Sequence, residues 1–256
     1  MVNTMNVKEL IKGIKQEEID FPKLFAYYEE KEYGILYYMS DNIDSYDGNH
    51  ACIFPERIYD LAKVLEDINA FYRKIGVKAS IYHPYQKDYF AQNIELLNKY
   101  GYTFFPKPDH RVMLLTDENR IQSDGRLDIE VLVNWDERVA RDILIPSGEP
   151  WEIDVTKKRL SKSNTYLFVG CIDGKAVVYT DIHISKYDNT RFDYIVTAKE
   201  HRGKGYASEL LSFVVEYCKK NRFPTCWQWA GPSERICYNA GFREVFTMEA
   251  GYARIV

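Results

Sequence analysis

Arg202-Gly203-Lys204-Gly205-Tyr206-Ala207 is the stretch of this sequence with the most chemistry in the fewest residues. Its glycines let the backbone curl closely around a guest, and Arg202 and Lys204 add positive charge. An apolar helical stripe starts at Ala207. The first N–H groups of a helix lack intrahelical partners and, with the helix dipole, favour an anion. The physical expectation is a phosphate or pyrophosphate site. The competing reading is a tight turn whose glycines only relieve strain. Two other phosphate loops are excluded by spacing. A G-x-x-x-x-G-K-[ST] loop needs Ser or Thr where Gly205 stands, and a G-x-G-x-x-G fingerprint needs glycine where Ser208 stands.

The elements around this loop follow from periodicity. Asp128 to Val133 reads as a strand, Asp136 to Leu144 as a helix, and Ile145 to Pro150 as a break. Trp151 to Leu160 reads as a second helix. Tyr166 to Ile172, Asp173-Gly174 and Lys175 to Ile182 form a hairpin pattern, because a DG pair between β-branched runs favours a type I′ turn. Arg191 to Thr197 continues the antiparallel meander. The period then changes to 3.6: Ala207, Leu210, Leu211, Val214, Val215 and Cys218 make one helical stripe, with Lys219 and Lys220 in its last turn. Thr225 to Trp229 is a strand and places Trp227 and Trp229 on one face, as core or as the wall of an acceptor pocket. Ser233 opens a helix to about Asn239, Gly241 closes it, and Arg243 to Val256 adds one or two strands.

The first half repeats this order. Ile35 to Met39, Asn49 to Phe54 and Lys78 to Tyr82 read as strands. Helices are expected from Ile58 to Tyr72 and from Phe90 to Lys99, with an apolar ending at Arg111 to Leu115. Leu96 to Tyr102 matches Ile236 to Phe242 at an offset of 140. This is the mark of an internal duplication with its junction in Thr116 to Gly125. Where the glycine loop would recur, the first half has Phe54-Pro55-Glu56-Arg57-Ile58-Tyr59-Asp60-Leu61, with no glycine and two acidic residues.

Over about Asp128 to Val256 the sequence resembles the GCN5-related N-acetyltransferases. Their acyl-CoA loop, R/Q-x-x-G-x-G/A after the fourth strand, is matched by Arg202, Gly205 and Ala207. The resemblance implies an α+β fold of tandem acyl-CoA N-acyltransferase-like domains, each a mixed central sheet flanked by helices. Residues 1–120 would be a degenerate domain without a pyrophosphate loop, and residues 126–256 the domain that binds acetyl-CoA. It implies that the backbone of Gly203, Lys204, Gly205, Tyr206 and Ala207 wraps the pyrophosphate, and that Val196 and Thr197 pair with the pantetheine arm. It further implies that Asp193 to Thr197 splays away from Thr225 to Trp229 to admit the thioester. An amine then attacks the thioester directly in a ternary complex.

For catalysis, many relatives place a sulfur-side tyrosine where this chain has Cys237; Tyr238, one residue later, is the best donor by chemistry. Cys237 has no adjacent histidine and reads as a core thiol rather than a nucleophile. Asp193 is the candidate base, against a solvated residue or an ion-pair partner of Arg191. His183 is a further candidate. His201 lies at the phosphate end. Ala230-Gly231 stands where the pattern often has asparagine.

Composition limits the alternatives. The 256 residues are 46% hydrophobic and 28% charged with a net charge of -4, which excludes wholesale disorder. Residues 1–125 carry 15 basic and 20 acidic side chains, and the remainder 19 and 18. Neither half is basic enough for nucleic acid to be the expected partner. The five scattered cysteines suit neither a disulfide scaffold nor a metal site, and the start of the chain has no signal-like apolar core. The expectation is a cytoplasmic acetyltransferase acting on a small-molecule or peptide amine, with acetyl-CoA as co-substrate, no metal and no membrane. The alternative is a non-catalytic CoA-binding or protein-interaction module.

Overall fold

A computed structural model describes residues 7–45, 47–82, 88–106, 110–162, 164–193, 195–231, 233–248 and 251–256. The chain runs through α1 (Val7–Asp20), β1 (Tyr27–Lys31), β2 (Gly34–Tyr38), β3 (Ala51–Ile53), α2 (Leu61–Lys74), β4 (Ser80–Tyr82), α3 (Tyr89–Gln92), α4 (Ile94–Lys99), β5 (Tyr102–Pro106) and β6 (His110–Leu115). It continues with β7 (Asp128–Leu132), α5 (Glu137–Val139), a π turn (Ala140–Leu144), α6 (Ile145–Ser147), α7 (Trp151–Leu160), β8 (Thr165–Ile172), β9 (Lys175–Ile184) and β10 (Asn189–Phe192). The final elements are β11 (Val196–Thr197), α8 (Tyr206–Lys220), β12 (Thr225–Trp229), α9 (Glu234–Asn239), β13 (Phe242–Met248) and β14 (Gly251–Ile255).

Two compact units result. The companion unit holds residues 19–111 and 247–256, and the glycine-loop unit holds 1–18 and 112–246. These bounds differ from the linear division expected at residues 120–126. The first helix and β6 join the later unit, and β14 joins the earlier one. The sheet order of the companion unit is β1-β2-β3-β4-β14-β5; that of the glycine-loop unit is β13-β6-β12-β10-β9-β8-β7, with β11 on β9. From β1 and from β8 onward the pairings repeat: antiparallel, antiparallel, parallel, antiparallel. Both units are therefore mixed sheets, and in each the parallel step of this series is made through a helix, α2 or α8. The expected α+β class and internal repeat are present. The final stretch does form two strands, but they enter different sheets.

Local departures have local causes. Of the break expected over Ile145 to Pro150, the first three residues are still helical and Gly148, with a φ of 79°, ends the helix. The π turn before it widens the backbone, so that Pro146 is accommodated despite its missing N–H. Asp173 and Gly174 both have positive φ, 49° and 75°, as a type I′ turn demands. The strand expected over Arg191 to Thr197 is interrupted between β10 and β11; Tyr194, within that interruption, lies outside the described residues.

In the glycine-loop unit, α8 lays Leu210, Leu211, Val214, Val215 and Cys218 on one sheet face against Phe168, Val178, Ile182, Phe192 and Cys226. On the other face, Val139, Ile143, Leu144 and Leu160 cover Leu167, Val169, Tyr179 and Val196. In the companion unit, α2 contributes Val64, Leu65, Ile68 and Tyr72 to a core with Leu36, Ile53 and Ile81. No helix among the described residues is long and apolar enough to cross a membrane.

Candidate active site

The loop expected to hold an anion lies between β11 and α8. Gly203 and Gly205 have φ of 77° and 85°, so the backbone visits the left-handed region on both sides of Lys204. Alternating turns of this kind point successive N–H groups toward a common centre. Gly205 caps α8 with no side-chain hydrogen bond. Glu209 N donates to Gly205 O at 3.1 Å, which leaves the N–H groups of Tyr206, Ala207 and Ser208 ahead of the helical ladder. Arg202 Nε donates to Thr197 O at 3.1 Å and thereby ties the loop to the end of β11.

The neighbouring strands separate at the expected place. β10 pairs with β12 in parallel up to Arg191↔Trp227. Among the described residues, β11 pairs with β9 alone, through Val196↔Tyr179 and Thr197↔Val178. On the side of β11 away from β9, its backbone makes no ladder.

Asp193 sits where the strand breaks, and it is not solitary. Its Oδ2 is 3.1 Å from Arg159 Nη1 and its Oδ1 is 3.7 Å from Arg191 Nη2. Arg159 is 2% exposed and also reaches Asp181 Oδ1 at 2.9 Å and Glu152 Oε1 at 3.0 Å. Arg191 meets Glu18 of α1, and its guanidinium lies 5.3 Å from the Trp227 ring centre. Burial pushes the Asp181 carboxyl up to about 6 against the pull of Arg159. His183 accepts or shares a hydrogen bond with Thr165 Oγ1 at 3.1 Å. Burial, helped by Arg191 and Arg159, lowers it to about 4, so it is a neutral imidazole at pH 7. The Tyr179 hydroxyl is fully buried beside this cluster, and burial raises its pKa well above the ordinary tyrosine range.

Tyr238 is half-buried at the edge of the α8 core, with Arg243 over its ring at 5.8 Å. Cys237 is 1% exposed within that core, its Sγ 3.9 Å from Ser233 Oγ. Burial raises its thiol pKa, the setting of an inert core cysteine. Trp227 is buried and donates to Asn189 Oδ1 at 2.7 Å, and Trp229 meets it edge-on at 5.7 Å. His201 lies beside Tyr206, with ring centres 5.9 Å apart and the planes tilted by 48°. Among the described residues, no group of three or more His, Cys, Asp or Glu side chains is arranged for a metal.

Sequence reasoning missed four contributors. Arg126 Nη1 donates to Lys204 O at 2.9 Å, from beyond the junction segment. Glu17 and Glu18 come from α1, where Ser185 donates to Glu17 and Arg191 meets Glu18. Arg159 had a readable signal: Glu152, Thr156 and Arg159 lie at i, i+4 and i+7, a polar line along one helix face.

The model of the acetyltransferase (GNAT) family matches residues 132–240. A GCN5-related N-acetyltransferase from Kribbella flavida superposes with a TM-score of 0.67 at 12% identity, covering 98% of this chain and 96% of its own. A functionally unknown conserved protein from Staphylococcus epidermidis does so at 0.61 and 13% identity, over 90% and 94%. A tandem GNAT protein from the clavulanic acid biosynthesis pathway gives 0.54 at 14% identity, over 80% and 74%. No curated protein matches the sequence. With the family match over residues 132–240 and the fold shared across nearly the whole chain, this protein has the GNAT acetyltransferase fold, built as two related α+β units.

Proposed function

We propose that the chain is an acyl-CoA-dependent N-acetyltransferase that transfers the acetyl group of acetyl-CoA to a primary amine, on a small molecule or a peptide, in a ternary complex. The observation that carries this reading is the uncapped, glycine-opened N-terminus of α8 directly beyond β11, a strand with one unpaired edge. The N–H groups from Gly203 to Ala207, with Arg202 and Lys204, suit a pyrophosphate. The free edge at Val196 and Thr197 suits the two amides of the pantetheine arm. The pyrophosphate fit uses N–H groups that the helix leaves without partners.

The amine nitrogen would attack the thioester carbonyl carbon, forming the C–N bond and a tetrahedral oxyanion. Collapse breaks the C–S bond, and the CoA sulfur takes a proton, for which Tyr238 is the donor in this reading. The proton lost by the amine leaves toward Asp193 through water, because both Asp193 oxygens already face guanidinium groups. That engagement of Asp193 is also what favours the second reading, a non-catalytic CoA-binding or protein-interaction module.

Calorimetric titration of acetyl-CoA and CoA into the wild type and Gly205→Glu tests the site. One site per chain is expected, and its loss in the variant, whose carboxylate would occupy the anion position. A folded wild type that binds neither ligand ends the acetyltransferase reading. Binding without amine-dependent release of CoA thiol, across a panel of amines, selects the non-catalytic module.

A further inference from the structure

Arg126 lies outside the loop and the helix, yet it contacts the loop's backbone. Its Nη1 donates to the carbonyl of Lys204 at 2.9 Å. In a trans peptide the C=O and the next N–H point in opposite directions. Pinning the Lys204 oxygen from one side therefore aims Gly205 N–H to the other. The guanidinium approaches so closely that a Cβ on Gly205 would lie 3.1 Å from Arg126 Nη2. Gly205 thus meets two demands at once, a φ of 85° and room for an arginine.

Arg126 is itself held in place. Its Nε lies 3.4 Å from Asp124 Oδ2 and 3.4 Å from Glu209 Oε2, and the guanidinium is 5.1 Å from the Tyr206 ring centre. Glu209 is 3% exposed and fixed through Leu127 N, which donates to its Oε1 at 3.0 Å. A side chain with these contacts has fewer rotamers to give up when a ligand arrives, which is the meaning of preorganisation.

We infer that Arg126 is a positioning residue for the anion nest: by holding the Lys204 carbonyl it directs Gly205 N–H at the pyrophosphate. This rests on the acetyl-CoA reading of the loop and adds to it the residue that sets the loop's donor direction. It acts from the back of the loop, and Arg202 and Lys204 contribute charge from the loop itself.

The test follows glycine amides by NMR in 15N-glycine-labelled protein during titration with CoA, for the wild type, Arg126→Gln and Arg126→Lys. In the wild type, Gly205 N–H moves downfield on binding. In Arg126→Gln the Gly205 shift collapses relative to that of Gly203, and CoA binds about tenfold more weakly, the scale of one charge-assisted hydrogen bond. Arg126→Lys, with one ammonium for several partners, falls between them. If Arg126→Gln does not fold, Arg126→Lys carries the same comparison of Gly205 with Gly203. A wild-type Gly205 response in a folded Arg126 variant overturns the inference, as does a uniform loss across both glycines. No glycine response in the wild type overturns the acetyl-CoA reading, and this inference with it.

Discussion

After equivalent strands, the two units arrive at their crossover helices in opposite chemical states. In the companion unit, Pro55–Arg57 winds into a short 3₁₀ turn, and Asp60 closes α2 by accepting from Lys63 N at 3.3 Å. In the glycine-loop unit, Gly205 opens α8 with no side chain at all. Asp60 supplies from within the chain the negative charge that a helix N-terminus attracts. Gly205 leaves that position for something else. The same topological step therefore gives a helix capped by its own side chain in one unit and a helix start without a side-chain cap in the other. The difference resides in a handful of residues rather than in the fold.

The contrast extends to buried charge. Arg159 is enclosed with Asp181 and Glu152, whereas ion pairs of the companion unit such as Lys31–Glu29 lie at its surface. Arg159→Met would strand buried carboxylates and should destabilise the glycine-loop unit by about 3–5 kcal/mol. All four tryptophans, Trp135, Trp151, Trp227 and Trp229, are in that unit, so their fluorescence reports its unfolding. An unchanged denaturation midpoint would show that the cluster is not held by Arg159.

Acid should separate the units in the other direction. Burial lowers His50, in the companion unit, from 6.5 to about 4. Its neutral form is favoured on folding, so the unfolded chain binds more protons between those values. Stability is complete above pH 6.5 and falls as pH drops toward 4, by on the order of 3 kcal/mol. His183 has the same sign in the glycine-loop unit. Asp181, raised from 3.8 to about 6, has the opposite sign and offsets much of that loss. Far-UV circular dichroism should therefore report loss of structure at a higher pH than tryptophan fluorescence does, and His50→Gln should bring the two together. Coincident transitions in the wild type would remove the asymmetry.

Gly205→Asp makes one helix start resemble the other. Acetyl-CoA affinity should fall at least about a hundredfold by calorimetry, because a fixed carboxylate replaces the ligand's charge. Retained binding would mean that the open N-terminus is not the site. Asp60→Ala is the smallest step, costing about 1 kcal/mol of stability. It should leave the companion unit without acetyl-CoA affinity, as its segment still lacks glycine.

Much of this comparison was readable before any coordinates. Asp173-Gly174, the Ala207 to Cys218 stripe and the match of Leu96–Tyr102 with Ile236–Phe242 are local signals of turn chemistry and period, and each element appears where expected. The loop was readable for the same reason: its glycines and cations are consecutive. What could not be read depends on distant partners. Nothing in the spacing of Gly251–Ile255 says that it pairs with β4 and β5 rather than with its neighbour in sequence. Arg126 looks like an ordinary charged residue after a polar junction, and Asp193 like a free carboxylate until Arg159 and Arg191 are placed around it. β1 and α1 carry no clear pattern, because Tyr27–Glu30 is exposed on both faces and α1 mixes Glu17 into its buried side.

The position of β14 sets an order of events for a chain made from its N-terminus. β4 and β5 exist once residue 106 has been added, but the strand that joins them is residues 251–255. For the roughly 150 intervening residues, at about 5–20 residues per second, those two strands wait some tens of seconds at the slow end with facing edges open. The sheet begun before the glycine-loop unit's strands is thus completed only after them. A chaperone that shields bare strand edges would find its target there, on residues synthesised long before.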